Sequence, residues 1–414
     1  MPQEFINNTF YKFFIFTLLF GLLLYGTIGF DSIDEVCAAI LLVFFFVAIF
    51  KSENWQINKF FLVTFGVFLF YLGYSLYIES NTKKAIISDF IVQFKPYLAF
   101  FAVYYLKPIF NKNQKAILRI ICIICWFCLF LLGILSLFNQ SIIAKVMFHQ
   151  AFYAACVTAL SLIYLYCGND SKKDKFIFIL MLTVGLFSTR SKFYGLYALA
   201  IMLIMISPYI KNVKINLKTI LLVAAVVSVI ILAGWRKINL YFAISGEEDV
   251  TKGLLARVTL YITTPEILRD YFPFGSGFAS FASFYSGVYY SDIYVKYGID
   301  KIWGMNSSHY SYIADTYYPC LAQFGIVGII LFMFFFAYLF RKSYLMFKQN
   351  FQTKYLIITT LIICYFLIES VADATFTGHR GFFMMMLLGL IFSEQKAYLS
   401  EKEKSISDNY LEVS

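Results

Sequence analysis

Apolar runs separated by short polar loops recur along most of the chain. Twelve such segments are distinguished, at approximately 13–29, 35–50, 60–77, 86–106, 117–138, 151–167, 174–188, 191–209, 219–235, 320–340, 355–370 and 381–393. A helix needs about 20 apolar residues to cross a bilayer, so the shorter runs must extend into their flanks. The pattern predicts an all-α polytopic membrane protein with about twelve transmembrane helices.

The composition agrees with this fold class. The chain is 61% hydrophobic and 14% charged, whereas soluble proteins carry about 25% charged residues. All eight cysteines lie in or at the ends of apolar segments, and the one CxxC, at Cys122 and Cys125, has no second ligand pair. We therefore expect buried thiols, with neither a metal site nor a cofactor.

Positive charge alternates between the loops. One set carries 20 Lys and Arg residues, and the other short loops carry 6. The first set comprises the N-terminus, 51–59, 107–119, 168–175, 210–218, 341–354 and the C-terminal tail. Because positive residues collect on the cytoplasmic side, we predict that both termini are cytoplasmic. The net charge of +10 then reflects orientation, and no nucleic-acid partner is expected.

The connection 236–319 differs from every other loop in its length, and the alternation places it outside. The predicted organisation is therefore helices one to nine in 1–235, an outer loop in 236–319, helices ten to twelve in 320–393 and a cytoplasmic tail in 394–414. Within the loop we expect short helices, one at 253–262 and another beginning at Thr264-Pro265-Glu266. The stretch PFGSGF at 273–278 predicts a tight glycine turn.

Several cations lie on the predicted outer side, where orientation does not explain them. They are Arg190, Lys192, Arg236, Arg257 and Arg380. The planar fork of arginine suits phosphate, so converging arginines fit an anionic lipid headgroup such as a diphosphate. Taken singly, each is also compatible with a surface position or a structural ion pair, and Lys192 with contact to lipid phosphates.

Lys95 lies inside the fourth apolar segment. It is about 14 Å along the helix from Ile86, at 1.5 Å per residue. That depth predicts a side chain facing the interior of the bundle with a partner. Binding to substrate and a structural ion pair are both compatible with this position.

His309 and Asp315 precede the tenth segment and are candidate general bases. The alternatives are a solvated loop histidine and a helix N-cap. The sequence has no Walker A motif, no HExxH motif and no DxD pair in a cytoplasmic loop. Chemistry outside the membrane would therefore need a substrate that is already activated, such as a lipid diphosphate.

Three stretches in order along the chain resemble bacterial O-antigen ligases and Wzy-type polymerases. They are LFSTRSKFYGLYAL, ARVTLYITTPEILRDYFPFGSGFASF and DTYYPCLAQFGIVGIILF, and FKPYLAFF and DSIDEV also look like the polymerases. The resemblance implies a GT-C-like membrane fold in the bacterial inner membrane, with a periplasmic active site. It also implies metal-independent, inverting glycosyl transfer from undecaprenyl-diphosphate-linked oligosaccharide, which yields O-antigen or capsular polysaccharide.

Carried over residue by residue, Arg190 and Arg257 match the family arginines that hold the diphosphate. Ligases commonly have His-Asn where this chain has Ala314-Asp315, which favours a polymerase with Asp315 or His309 acting on the acceptor. Lys95, Arg236, Arg380 and Lys192 are then expected to bind substrate.

The partners implied are membrane lipid, the lipid-linked oligosaccharide, a chain-length regulator and a flippase. Two alternatives stay open: a ligase that transfers glycan to lipid A–core, and a transporter or flippase of lipid-linked glycan. The absence of an internal repeat speaks against the transporter.

Overall fold

The computed structural model describes residues 2–29, 32–50, 59–139, 141–209 and 248–413, and the regular secondary structure in these ranges is entirely helical. The longer helices are Gln3–Phe16, continued by a π-helix at Thr17–Leu23, then Ile33–Phe50, Lys59–Tyr77, Lys83–Leu106, Lys112–Phe138, Gln150–Cys167, Lys172–Thr183, Ser191–Ile206, Glu248–Asp270, Gly325–Asn350, Thr353–Glu369 and His379–Val413. Short helices occur at Tyr25–Ile28, Ile142–Met147, Val184–Ser188, Phe284–Val288, Asp292–Lys296, Tyr317–Cys320 and Leu321–Phe324.

Eight helical stretches in the described ranges are long and apolar enough to cross a membrane. They correspond to the first six predicted segments, the tenth and the twelfth. Segments 174–188, 191–209 and 355–370 form helices of fewer than 18 residues. Segment 219–235 lies outside the described residues. The helical fold class is therefore confirmed, and the eight membrane-length helices agree with a multi-pass protein. The number of twelve spans and their orientation stay predictions.

The core is built around two helices, Lys83–Leu106 and His379–Val413. The ring of Phe100 packs edge-on against Phe335 and Phe392, with centroids 6.1 and 5.6 Å away. Gly389 lets the two backbones approach, because a Cβ there would lie 2.7 Å from the Phe100 carbonyl oxygen. The last helix continues past the predicted boundary at 394 as far as Val413.

Loops that the charge alternation assigns to one side contact one another at one end of the bundle. Gln3 donates to the carbonyl of Leu106 at 3.2 Å. Lys175 pairs with Asp170 at 2.9 Å, and the same carboxylate accepts from the Thr353 backbone. Arg119 pairs with Asp174, so the N-terminus and the loops 107–119, 168–175 and 341–354 share an end. Their cytoplasmic location stays a prediction.

The long connection follows a different helical pattern from the one expected. A single helix, Glu248–Asp270, runs through Pro265, so the prediction of two helices separated near Thr264 is wrong. Thr263 and Thr264 donate to the carbonyls of residues 259 and 260. These side-chain bonds stay within the helix, which continues although Pro265 supplies no backbone donor.

The glycine turn predicted at 273–278 is present and is tightly packed. Gly275 has a φ of +82°, and a Cβ there would meet the Gly325 nitrogen at 2.2 Å. The Gly277 amide donates to the Gln323 carbonyl at 2.8 Å. The turn thus fixes the long connection against the start of the helix that follows it.

Candidate functional site

Arg190 lies in a sharp connection between two helices at the end of the bundle opposite the loops described above. The 3₁₀ turn Val184–Ser188 ends with Thr189 in a left-handed conformation at φ +55°. Arg190 is extended and occupies the N-cap position of the helix Ser191–Ile206, which places Lys192 in the first turn of that helix. The hairpin thus presents two cations at one end of the bundle.

The side chain of Arg190 contacts a histidine that the sequence analysis did not select. Nη2 of Arg190 lies 2.5 Å from Nε2 of His149. His149 caps the helix Gln150–Cys167, and its Nδ1 accepts from the Ala151 amide at 3.2 Å. Burial and then the charge of Arg190 lower the pKa of His149 to about 4, so the imidazole is neutral at physiological pH. The available signal was a histidine directly before an apolar run on the same predicted side as Arg190.

Lys192 and Arg380 each pair with a carboxylate in the same region. Lys192 lies 2.6 Å from Glu369 and also donates to the Ala372 carbonyl at 3.2 Å. Arg380 donates to Asp373 at 2.8 Å. Burial alone would raise the pKa of Asp373, but the charges of Arg380 and Lys192 outweigh it and hold the pKa at about 2.

Arg257 pairs with Asp315 through its Nε. Burial raises the pKa of Asp315, although Arg257 acts in the opposite direction. One turn further along the helix of Arg257, the Tyr261 hydroxyl donates to the Val371 carbonyl at 2.7 Å. This contact joins the helix Glu248–Asp270 to the loop that carries Asp373.

These pairs form one group, which we call the basic cluster: Arg190, Lys192, Arg257, Arg380, His149, Asp315, Glu369 and Asp373. Lys192 acts electrostatically on both Asp315 and Asp373, and Asp373 also acts on His149. The cluster therefore brings together four of the predicted site cations with the predicted base Asp315. The sequence analysis missed the two remaining carboxylates, because acidic residues at the ends of apolar runs are common caps.

Arg190 is the exception within the basic cluster. The basic cluster has four cations, and three of them, Lys192, Arg257 and Arg380, pair with carboxylates. Among the described residues no carboxylate pairs with Arg190, whose side chain contacts His149. Its Nε is buried and has no hydrogen-bond partner in the same ranges. A guanidinium with a neutral neighbour keeps its full attraction for an added anion, whereas a carboxylate partner would offset it.

Lys95 is buried and pairs with two carboxylates, which agrees with the predicted interior position. Its ammonium lies 2.5 Å from Asp34 and 2.7 Å from Glu35, and its side chain is 3% exposed. The arrangement matches the ion-pair alternative, and a role in substrate binding stays a prediction.

His309 makes its contacts outside the basic cluster. His309 is exposed and stacks on Trp303, with ring centroids 4.6 Å apart. Its hydrogen bonds in the described part of the chain are to Asn306 and Ser308. Arg236 lies outside the described residues.

An apolar cavity of about 390 Å³ lies between three helices, Lys59–Tyr77, Lys83–Leu106 and Gly325–Asn350. Its lining is mostly aromatic and includes Tyr97, Phe332 and Tyr317. Tyr317 is two residues along the chain from Asp315. No protein-family model matches the chain, and a search of curated proteins finds no significant match.

Proposed function

We propose that the protein polymerises lipid-linked oligosaccharide repeat units of an O-antigen or capsular polysaccharide. In this proposal the growing glycan passes from undecaprenyl diphosphate to the non-reducing end of the next repeat unit, with inversion and without a metal. The observation that carries the proposal is Arg190, an arginine without a carboxylate partner among the described residues, inside a cluster of paired cations. That arrangement suits a diphosphate, which brings its own negative charge.

The proposal includes an orientation in the bacterial inner membrane. Twelve spans with both termini in the cytoplasm would place the basic cluster at the periplasmic face. The charge alternation supports this orientation, because the loops at the opposite end of the bundle carry most of the positive residues.

Each step of the reaction has a candidate residue. The acceptor hydroxyl attacks the anomeric carbon, the bond from that carbon to the diphosphate oxygen breaks, and the hydroxyl proton passes to Asp315. Arg190 and Arg257 neutralise the charge that develops on the leaving diphosphate. The raised pKa of Asp315 fits this role, because a carboxylate with a higher pKa is a stronger base.

The aromatic cavity supports a substrate with a hydrocarbon chain. It is apolar along most of its lining, and one of its lining residues, Tyr317, is two residues along the chain from Asp315. In this proposal the cavity holds the polyprenyl chain of the donor.

Replacement of Arg190 tests the proposal. We expect Arg190→Ala to reach the membrane and to yield glycans of a single repeat, because the leaving group loses its unpaired guanidinium. Arg190→Lys keeps the charge but removes the paired donor geometry, so it should restore only part of the chain length. The readout is the ladder of glycan lengths on a lipopolysaccharide gel, together with chain growth by the purified protein on a lipid-linked repeat unit.

Arg269→Ala is the matched control, because Arg269 is 77% exposed and pairs with its neighbour Asp270. It should give ladders of normal length. Normal ladders from Arg190→Ala would refute the proposal. Loss of all core-attached glycan, single repeats included, would instead indicate a ligase.

A further inference from the structure

Four consecutive backbone carbonyls at the end of the helix Thr353–Glu369 accept hydrogen bonds from other parts of the chain. Glu369 is the last residue of that helix, and three residues of the following turn supply the rest. An α-helix leaves the carbonyls of its last turn without donors from its own backbone, so they need donors from elsewhere. We call this set the carbonyl anchor, and it comprises the backbone carbonyls of Glu369, Ser370, Val371 and Ala372.

One pair of donors follows Asp315, the proposed base. The Ser370 carbonyl accepts from the backbone amides of Tyr317 and Tyr318, at 3.2 and 3.3 Å. These amides lie two and three residues after Asp315 along the chain. The Tyr318 hydroxyl also donates to the Leu367 carbonyl in the last helical turn, at 2.7 Å. The segment that carries the proposed base is therefore fixed to the end of this helix.

A second donor follows Arg257. Tyr261 lies four residues, or one helical turn, further along the helix Glu248–Asp270. Its hydroxyl donates to the Val371 carbonyl at 2.7 Å. Because the two side chains lie on the same face of one helix, this hydrogen bond also restrains the position of Arg257.

A third donor follows Arg190. Lys192 lies two residues further along the hairpin, and its ammonium donates to the Ala372 carbonyl at 3.2 Å and to the Glu369 carbonyl at 3.5 Å. The same ammonium lies 2.6 Å from the Glu369 carboxylate. The carbonyl anchor thus joins all three stretches that carry the proposed reacting groups.

The signs of the charges in the pair of Lys192 and Glu369 are not explained by the helices that carry them. Lys192 lies in the first turn of Ser191–Ile206, and Glu369 ends Thr353–Glu369, although helix dipoles favour the opposite signs at these positions. The side chains are 20% and 9% exposed, so solvent ions screen their attraction only in part. The pair therefore joins two elements at some cost to each helix.

We propose that the carbonyl anchor holds Arg190, Arg257 and Asp315 at fixed positions relative to one another. Lys192 and Tyr261 are then positioning residues that act through the two arginines. This inference rests on the proposed function and replaces the expected role of Lys192 in substrate binding. Positioning matters for rate, because a displacement of about 1 Å can slow an enzyme about 100-fold.

Exchanging the charges of Lys192 and Glu369 distinguishes positioning from substrate binding. Lys192→Glu alone should slow chain growth by the purified protein roughly 100-fold. Lys192→Glu/Glu369→Lys restores the ion pair with charges that suit both helix dipoles. It should recover to within roughly 10-fold of the wild type, the rest being the lost hydrogen bonds from the ammonium to the carbonyl anchor. A lysine that binds an anionic substrate would not be replaced by glutamate.

Tyr261→Phe tests the second positioning residue without a change of charge. It should lower kcat roughly 10-fold and leave KM for the lipid-linked repeat unit within about twofold, because the arginine acts on the leaving group in the transition state. The matched control is Tyr297→Phe, which removes a hydroxyl that donates to Asp270 at 2.9 Å, at the other end of the same helix. This control should grow chains at the wild-type rate.

A double variant separates positioning from a purely structural role. If Tyr261 acts through Arg257, Tyr261→Phe should slow chain growth by less than about twofold further when Arg257→Ala is already present. A hydroxyl that only stabilises the fold would cost the same factor in both backgrounds.

Three results would overturn the inference: wild-type kcat in Tyr261→Phe, the same loss from Tyr261→Phe with and without Arg257, or a charge-exchanged variant no more active than Lys192→Glu. If the wild-type protein extends the lipid-linked repeat unit in the same assays, the polymerase is kept and only the carbonyl anchor is rejected. A wild-type protein that does not extend it would reject the proposed function, and the inference with it.

Discussion

The ion pairs of Lys95 allow a quantitative test of the fold. Lys95→Met keeps most of the side-chain volume but leaves Asp34 and Glu35 without their shared cation. Breaking a buried pair by removing one partner costs about 3–5 kcal/mol. Asp34 has a side chain that is 6% exposed and should bear this cost in full.

Glu35 adds less to the cost, because its side chain is 37% exposed and solvent screens its charge. The loss in the free energy of unfolding should therefore be about 3–5 kcal/mol, as for one buried pair and well below twice that amount. Neutralising the more buried carboxylate as well, in Lys95→Met/Asp34→Asn, should recover most of the loss.

The assay is unfolding of the purified protein in mixed micelles, followed by intrinsic fluorescence. Lys83→Met is the matched control, since Lys83 is exposed at the start of the same helix, and its effect should stay within about 0.5 kcal/mol. If Lys95→Met also stays within that limit, the reasoning about the buried pair is wrong. Chain growth measured on the double variant would then report directly on whether substrate needs Lys95.

Three further predictions follow from the structure. Gly275 and Gly298 both have a positive φ, but of the two only a Cβ at 275 would meet backbone atoms, at 2.2–2.6 Å. Gly298→Ala should therefore cost roughly 1–2 kcal/mol of stability and Gly275→Ala several times as much. Equal losses in thermal unfolding would contradict this. The pKa of Asp373 is lowered to about 2, so its charge contributes about 2 kcal/mol of stability above pH 4, which is lost as the pH falls through 2. Asp373→Asn should therefore make stability less dependent on pH between 4 and 2. An unchanged pH dependence in this variant would show that Asp373 is not the group responsible. Asp315→Asn should slow chain growth by about 100-fold or more, as expected for loss of a general base. His309→Ala should slow it far less, because of the two residues only Asp315 belongs to the basic cluster. A larger loss from His309→Ala in the purified assay would make His309 the base instead.

Local properties of the sequence determined much of the fold. Apolar runs indicate helices from local composition alone, and the first six segments, the tenth and the twelfth correspond to the eight membrane-length helices in the described ranges. The glycine turn at 273–278 also followed from residue types alone, since few residues adopt a positive φ. The grouping of loops at one end of the bundle followed from charge, which needs no knowledge of packing.

Pairing was decided only by the tertiary structure. Lys95 lies 60 and 61 residues from its carboxylates, and 58 residues separate Arg257 from Asp315; single-sequence patterns carry no information over such separations. His149 was missed for the same reason: it contacts Arg190, which lies 41 residues further along the chain. For the described membrane segments, the sequence by itself indicated which are helices and which of their loops group together, because hydrophobicity and charge act locally. Which cation has a carboxylate and which has a neutral imidazole depends on how the helices pack, so only the folded chain distinguished Arg190 from its neighbours.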